Sequence, residues 1–143
     1  MIGIGGQFDN SNPFTSGYQL FPMFLNHVIN GDTVSFTTPT ITVTEAAGTV
    51  NISVSLKNAT ALPTSVDVVV TGGSATAGSY FTYTTQTVTF AANSNAAQTV
   101  TLSITDDNLF ESNDTIVLSL QNATNNAVID AAANTYTIVI TDN

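Results

Sequence analysis

The stretch Val100-Thr101-Leu102-Ser103-Ile104-Thr105-Asp106-Asp107 shows the pattern from which the fold of this chain is predicted. Its apolar residues alternate with polar ones, and a period of two is typical of a β-strand that buries one face. Two aspartates then follow the last apolar residue. The stretch therefore predicts a half-buried strand that ends in an acidic loop.

The same alternation recurs along the rest of the chain after residue 40. Short runs of Gly, Asn, Ala and Ser interrupt it at intervals of roughly 10 to 20 residues, and no window sustains a helical period. The pattern predicts an all-β fold, a seven-stranded antiparallel Ig-like β-sandwich over residues 39–143, preceded by an extended N-terminal arm, residues 1–38. The predicted strands are centred on residues 41–44, 50–56, 66–70, 88–90, 100–104, 116–120 and 136–140.

Composition limits the classes of partner. The chain has 143 residues and a net charge of −9, because it has ten carboxylate side chains and, apart from His27, one basic side chain, Lys57. Binding to nucleic acid or to an anionic membrane surface requires Lys and Arg, so neither partner is expected. No apolar stretch approaches the ~18 residues of a membrane span, so no membrane insertion is expected. A surface rich in Thr, Ser and Asn is typical of secreted bacterial β-modules, and we expect an extracellular or cell-surface location.

The acidic loop, residues 106–114, holds four of the ten acidic side chains. Carboxylate and carbonyl oxygens are hard ligands that suit Ca²⁺. The alternative is a solvated acidic turn without a ligand. The loop alone does not decide between these two interpretations.

The ends of the odd-numbered predicted strands favour the calcium interpretation. If each connection reverses the chain, these strands run in one direction and end at one pole of the sandwich. The first ends in Thr44-Glu45, the fifth in Thr105-Asp106 and the seventh in Thr141-Asp142. The acids at these three ends therefore converge, which predicts a calcium site of weak affinity, about 10⁻⁴ to 10⁻³ M.

From about residue 40 to residue 143 the chain resembles the Calx-β family, which occurs in sodium-calcium exchangers and in many secreted or surface bacterial proteins. The motifs that carry the resemblance are residues 43–48, 73–80, 88–90, 104–107 with Glu111, and 136–142. The resemblance implies a Ca²⁺ site whose ligands are Glu45, Asp106, Asp107, the Leu109 carbonyl, Glu111, Asp114 and Asp142. Two positions depart from the family pattern. Ser79 stands where the family usually has Asp, and the closing acidic run is only Asp142-Asn143.

The first 38 residues lie outside this resemblance and are rich in aromatic and apolar side chains. Three interpretations stay open for this arm. It folds back over its own sandwich, it is the tail of an upstream domain, or it adds a strand to a neighbouring subunit and so builds a filament.

Catalysis is not expected, so the chain is not predicted to be an enzyme. A glycosidase needs two carboxylates on either side of a cleft, whereas the acids here are crowded, and the chain has no Trp. A carbohydrate-binding module is a better alternative, with Tyr18, Tyr80, Phe81 and Tyr83 as stacking faces. The sequence favours a non-catalytic, calcium-binding structural or adhesive module of an exported bacterial protein, made rigid by Ca²⁺ at one pole.

Overall fold

Two five-stranded β-sheets form the sandwich in the computed structural model, which describes residues 31–142. A single turn of 3-10 helix, Glu45–Ala47, lies between the strands Thr40–Thr44 and Thr49–Lys57. None of the described residues belongs to a helix that is long and apolar enough to cross a membrane. The strands are β1 (Thr33–Phe36), β2 (Thr40–Thr44), β3 (Thr49–Lys57), β4 (Thr64–Gly73), β5 (Phe81–Thr82), β6 (Gln86–Phe90), β7 (Gln98–Ile104), β8 (Asp114–Gln121), β9 (Val128–Ile129) and β10 (Thr135–Thr141).

The strand order is β9-β1-β3-β7-β5 in one sheet and β2-β10-β8-β4-β6 in the other. Most neighbours are antiparallel, but β9 pairs with β1 and β2 pairs with β10 in parallel. All seven predicted strands are present. The predicted number of strands was wrong, because β1, β5 and β9 were not expected, and β5 and β9 are only two residues long.

The core consists of the alternating apolar residues of the long strands. In β7 the buried residues are Val100, Leu102 and Ile104, while the threonines and Ser103 between them are exposed. Phe90, Ile52 and Leu102 are among the largest side chains that are fully buried. Each such side chain contributes about 1.5–3 kcal/mol relative to an exposed one. The apolar residues that recur with a period of two in the sequence thus form the packed interface between the sheets.

The sandwich begins before the predicted boundary at residue 38. Strand β1 pairs with β3 from Thr33 to Phe36, and the ring of Phe36 lies 5.4 Å from that of Tyr136. Residues 33–36 of the predicted arm therefore belong to the sheet. The rest of the arm prediction falls on residues 1–30, which lie outside the described residues.

A buried polar cluster holds the start of the sandwich in place. Asp32 is 1% exposed, and its Oδ2 accepts a hydrogen bond from the Thr64 hydroxyl. Asn125 donates from Nδ2 to the hydroxyl of Thr60 at 2.8 Å, and the Val128 N–H donates to the Asp32 carbonyl at 2.8 Å. These bonds connect the segments that precede β1, β4 and β9, so they link the N-terminal strand to both sheets.

Gly73 occupies a place that no other residue fills without strain. It follows an irregularity in the pairing of β4 with β8, and its φ is +117°. A Cβ atom at Gly73 would lie 2.1 Å from the Thr115 carbonyl oxygen, which belongs to the backbone of β8. At Gly72 a Cβ atom would meet nothing within 4 Å.

We therefore expect Gly73→Ala to destabilise the fold by about 2–4 kcal/mol, because it combines a disfavoured backbone conformation with a backbone clash. Gly72→Ala is the matched control and should change the free energy of unfolding by less than about 1 kcal/mol. Urea unfolding of the two variants measures both values. Equal stability of the two variants would contradict the close approach of β4 and β8.

Candidate metal site at the acidic pole

Three strand ends meet at one pole of the sandwich. Parallel pairing places Val43 opposite Ile140 and Thr44 opposite Thr141, so Glu45 and Asp142 each follow a paired residue. The end of β7 is joined to the same place because the Ile104 N–H donates to the Gly48 carbonyl at 2.9 Å. The first, fifth and seventh predicted strands correspond to β2, β7 and β10. Their predicted convergence at one pole is thus present in the fold.

Two adjoining clefts lie at this acidic pole. The Glu45 cleft, about 270 Å³, is lined by Glu45, Ser79, Tyr80, Thr105, Asp107, Leu109 and Glu111. The Phe110 cleft, about 260 Å³, is lined by Asp106, Asp107, Asn108, Leu109, Phe110 and Asp142. Asp107 and Leu109 border both clefts, so the two are neighbours across the acidic loop.

Glu45 is the acid with the least favourable surroundings at this pole. Its side chain is 4% exposed, and its Oε2 is buried with no hydrogen-bond partner. Burial raises the pKa of Glu45, and the charges of Glu111, Asp107, Asp142 and Asp106 raise it further, in that order. A buried carboxylate without a partner is costly in a folded protein. The position is therefore suited to a positively charged ligand.

Glu111, which lines the same cleft, also has a buried carboxylate oxygen. This oxygen, Oε2, has no hydrogen-bond partner. Hydrogen bonding with Glu111 raises the pKa of Tyr80, and burial and the charges of Glu111, Asp114 and Asp107 add to the shift. The backbone N–H of Glu111 donates to Asp142 Oδ2 at 3.3 Å. Two buried carboxylate oxygens without partners thus line one cleft.

Short hydrogen bonds hold the acidic loop in its place. Asp107 Oδ1 accepts from the Leu109 N–H at 2.7 Å, which closes a turn within the loop. The Thr105 N–H donates to the Tyr80 carbonyl at 2.9 Å and so connects the loop to the start of β5. These bonds place the loop against the segment that carries Ser79 and Tyr80.

The structure sorts the predicted ligands into three groups. Glu45, Asp107, Leu109 and Glu111 line the Glu45 cleft. Asp106 and Asp142 line the Phe110 cleft. Asp114 lines neither, since it begins β8 and is paired with Ile140. Asp114 therefore acts on the pole through its charge.

Within residues 31–142, no three His, Cys, Asp or Glu side chains lie close enough together to form a complete metal-binding site. The donors present are nevertheless hard oxygens, and two of them are buried without partners. Such oxygens fit a hard cation of variable coordination number. The residues therefore fit Ca²⁺ in chemistry but supply an incomplete set of preplaced ligands.

Sequence reasoning missed three features of the site. Tyr80, which was expected as a stacking face, also forms a hydrogen bond with Glu111. Thr105 lines the Glu45 cleft, and Phe110 lines the Phe110 cleft. The one feature of the sequence that could have drawn attention to Phe110 is that it is an apolar residue within the acidic loop.

Comparisons with known proteins agree with this architecture. A family model of the Calx-beta domain matches residues 29–143. A comparison with curated proteins finds no match.

Several solved structures share the fold. The crystal structure of the apo form of the Calx CBD1 domain is 21% identical, with 78% of this chain and 97% of that chain covered and a TM-score of 0.73. The calcium binding domain CBD12 of CALX1.1 is 21% identical over 79% of this chain and 44% of that chain, with a TM-score of 0.70. A proposed carbohydrate binding protein from Bacteroides ovatus is 10% identical over 76% of this chain and 36% of that chain, with a TM-score of 0.61.

The raised pKa of Glu45 predicts how stability depends on pH in the presence of chelator. In the folded protein Glu45 therefore binds a proton at a pH where the same side chain of the unfolded protein, with its ordinary pKa of 4.5, does not. This group therefore lowers stability at neutral pH, and the loss disappears as the pH falls through the raised pKa to below 4.5. The melting temperature in chelator should rise as the pH is lowered through this range.

The variant Glu45→Gln should melt higher than the native protein at neutral pH in chelator and should show a flatter slope. Asp67→Asn serves as a control, because hydrogen bonds from Thr87 and Asn122 lower the pKa of Asp67 below 3.8. The stability that Asp67 contributes is lost only below that value, so the slope between neutral pH and 4.5 should persist in Asp67→Asn. An unchanged slope in Glu45→Gln would show that other carboxylates set the pH dependence.

Proposed function

The chain belongs to the Calx-beta domain family, and on this premise we propose that it is a calcium-binding domain in which the ion joins strand ends at one pole of the sandwich. One observation carries this proposal. Glu45 is 4% exposed, has an oxygen without a partner, and is surrounded by four further carboxylates. Because the sequence has a single Lys and no Arg, a bound cation is the available source of compensating charge.

The residues that would hold the ion are those of the Glu45 cleft. Glu45, Asp107 and Glu111 supply carboxylates, and Leu109 is placed to supply its carbonyl. Asp106 and Asp142 border the adjoining cleft and add negative charge. Calcium, when bound, supplies the positive charge that offsets the repulsion among these groups. Its effect would be to tie the end of β2 to the acidic loop that follows β7.

We expect the affinity to be weak. The described residues form no complete set of preplaced metal ligands, so part of the binding energy is needed to order the ligands. Ser79 lines the Glu45 cleft as a neutral residue, where the family usually supplies a carboxylate. A dissociation constant of about 10⁻⁴ to 10⁻³ M, as in extracellular calcium modules, is consistent with both features.

The wider role that we propose is a non-catalytic structural or adhesive module of an exported bacterial protein, located outside the cell or on its surface. The Calx-beta family is one of binding and regulatory domains. The acids of this chain gather at one pole, where they repel each other, which suits ion binding better than acid-base catalysis. The near absence of basic side chains also supports a role without nucleic acid.

A filament built by strand donation is an alternative whose arm, residues 1–30, lies outside the described residues. Carbohydrate binding through the predicted aromatic run is a second alternative, but in this run Phe81 is buried and Tyr83 is half-buried. Phe81 is 3% exposed, and the Tyr83 hydroxyl donates to the Val68 carbonyl at 2.9 Å. Burial raises the pKa of Tyr83 to about 12, which agrees with an enclosed hydroxyl. The likeness to the Bacteroides ovatus protein supports this alternative at the level of the fold alone.

Calcium should raise the melting temperature of the protein. A ligand that binds the native state alone stabilises it by about 2.7 kcal/mol at 100 times its dissociation constant. For a sandwich of this size that corresponds to roughly 10 °C. Thermal melts in calcium and in chelator, at constant ionic strength, measure the difference.

Matched variants identify the ligands. Glu45→Gln and Asp107→Asn should lose most of the calcium response, whereas Asp67→Asn, in the middle of β4, should keep it. Ser79→Asp should increase the response, because it restores a carboxylate to the Glu45 cleft. Identical melting in calcium and in chelator would refute the site and leave the loop as a solvated acidic turn.

A further inference from the structure

The acidic loop carries an aromatic ring that the calcium proposal does not use. Phe110 is 94% exposed and Leu109 is 65% exposed, and Phe110 is the most exposed large apolar side chain in residues 31–142. Isolated exposed apolar residues are ordinary on protein surfaces. Phe110 differs because it borders, together with Leu109, a cleft whose four other lining residues are polar.

Hydrogen bonds hold the backbone on both sides of Phe110. On one side of Phe110, the Leu109 N–H donates to Asp107 Oδ1 at 2.7 Å. On the other side, the Glu111 N–H donates to Asp142 Oδ2 at 3.3 Å. Both neighbours of Phe110 are thus attached to side chains of the pole, so the ring is presented from an ordered backbone.

The cleft next to the ring has the chemistry of a hydroxyl-binding site. Asp106, Asp107 and Asp142 supply carboxylates, which accept hydrogen bonds, and Asn108 supplies an amide, which both donates and accepts. A ligand that fits must therefore bring several hydroxyl donors together with an apolar face for Phe110. The volume, about 260 Å³, is slightly below that of sites for drug-sized molecules and suits a single sugar ring.

We propose that the Phe110 cleft binds one residue of a neutral glycan, with the sugar ring stacked on Phe110 and its hydroxyls hydrogen-bonded to Asp106, Asn108 and Asp142. The net charge of −9 opposes an anionic polymer or an anionic lipid surface at this place. A neutral sugar avoids this repulsion and uses both the ring and the acceptors. Because Asp107 borders both clefts, the sugar site adjoins the proposed calcium site, but it stands on its own residues.

The test is affinity gel electrophoresis of the full chain in gels that contain mannan, xylan, starch or dextran. At least one of these neutral polysaccharides should retard the native protein. Phe110→Ala should weaken that retardation by about tenfold or more, because it removes the stacking face. Phe110→Tyr should keep it. Since the ring is 94% exposed, Phe110→Ala should melt at the same temperature as the native protein, which shows that the fold is intact.

Leu62→Ala is the control for loss of an exposed apolar residue, since Leu62 is 62% exposed and lies in the loop after β3, at the end of that strand away from the acidic pole. It should bind like the native protein. Glu45→Gln, which tests the calcium proposal, should also keep sugar binding, and Phe110→Ala should keep the calcium response in thermal melts. The failure of one proposal is therefore distinguishable from the failure of the other.

Several results would overturn the glycan proposal. Retardation by none of the four polysaccharides would do so, as would retardation that Phe110→Ala leaves unchanged. Sugar binding that vanishes both in chelator and in Glu45→Gln would place the sugar on the ion instead of in the Phe110 cleft. Binding to phosphatidylserine vesicles that Phe110→Ala abolishes, without binding to any polysaccharide, would assign the ring to a lipid surface.

Discussion

The parallel pairing of β2 with β10 is the constraint on which the acidic pole depends. It joins residues 97 positions apart in the sequence and sets Thr44 beside Thr141. Threonine hydroxyls add to it at both ends, since Thr40 donates to the Thr137 carbonyl at 3.0 Å and Thr141 donates to the Val43 carbonyl at 3.2 Å. Without this register, Glu45 and Asp142 would not lie at the same end of the sandwich, and the acidic loop would face neither of them.

The pole concentrates like charge in a protein with almost no positive side chains. Four carboxylates act on Glu45, which is itself withdrawn from water. Such an arrangement lowers the stability of the fold on its own, so it has to be maintained by the packing of the core below it. The buried apolar faces of β3, β7, β8 and β10 provide that support. The fold thus uses stability gained in the core to hold an unfavourable cluster at its surface, as proteins commonly do at functional sites.

Much of the sandwich was predictable from the sequence, because burial of one face imposes a period of two on every long strand. Strands β5 and β9 escaped detection since two residues are too few to show a period, and their position follows from pairing with Ile104 and Thr33. The pole was predictable in outline because strand direction brings Glu45, Asp106 and Asp142 to one end. The burial of Glu45 and the exposure of Phe110 were not, since both depend on how the loop folds over the strand ends.

The position of β2 beside β10 also has a mechanical consequence. A force applied before residue 33 and after residue 141 would load β1 against β3 first, and after the release of β1 it would draw the parallel strands β2 and β10 in opposite directions along their axes. Five residue pairs would then be loaded together in shear instead of being peeled apart one after another. The pairing of β2 with β10 should therefore resist an axial pull better than a pair of strands whose hydrogen bonds break in sequence.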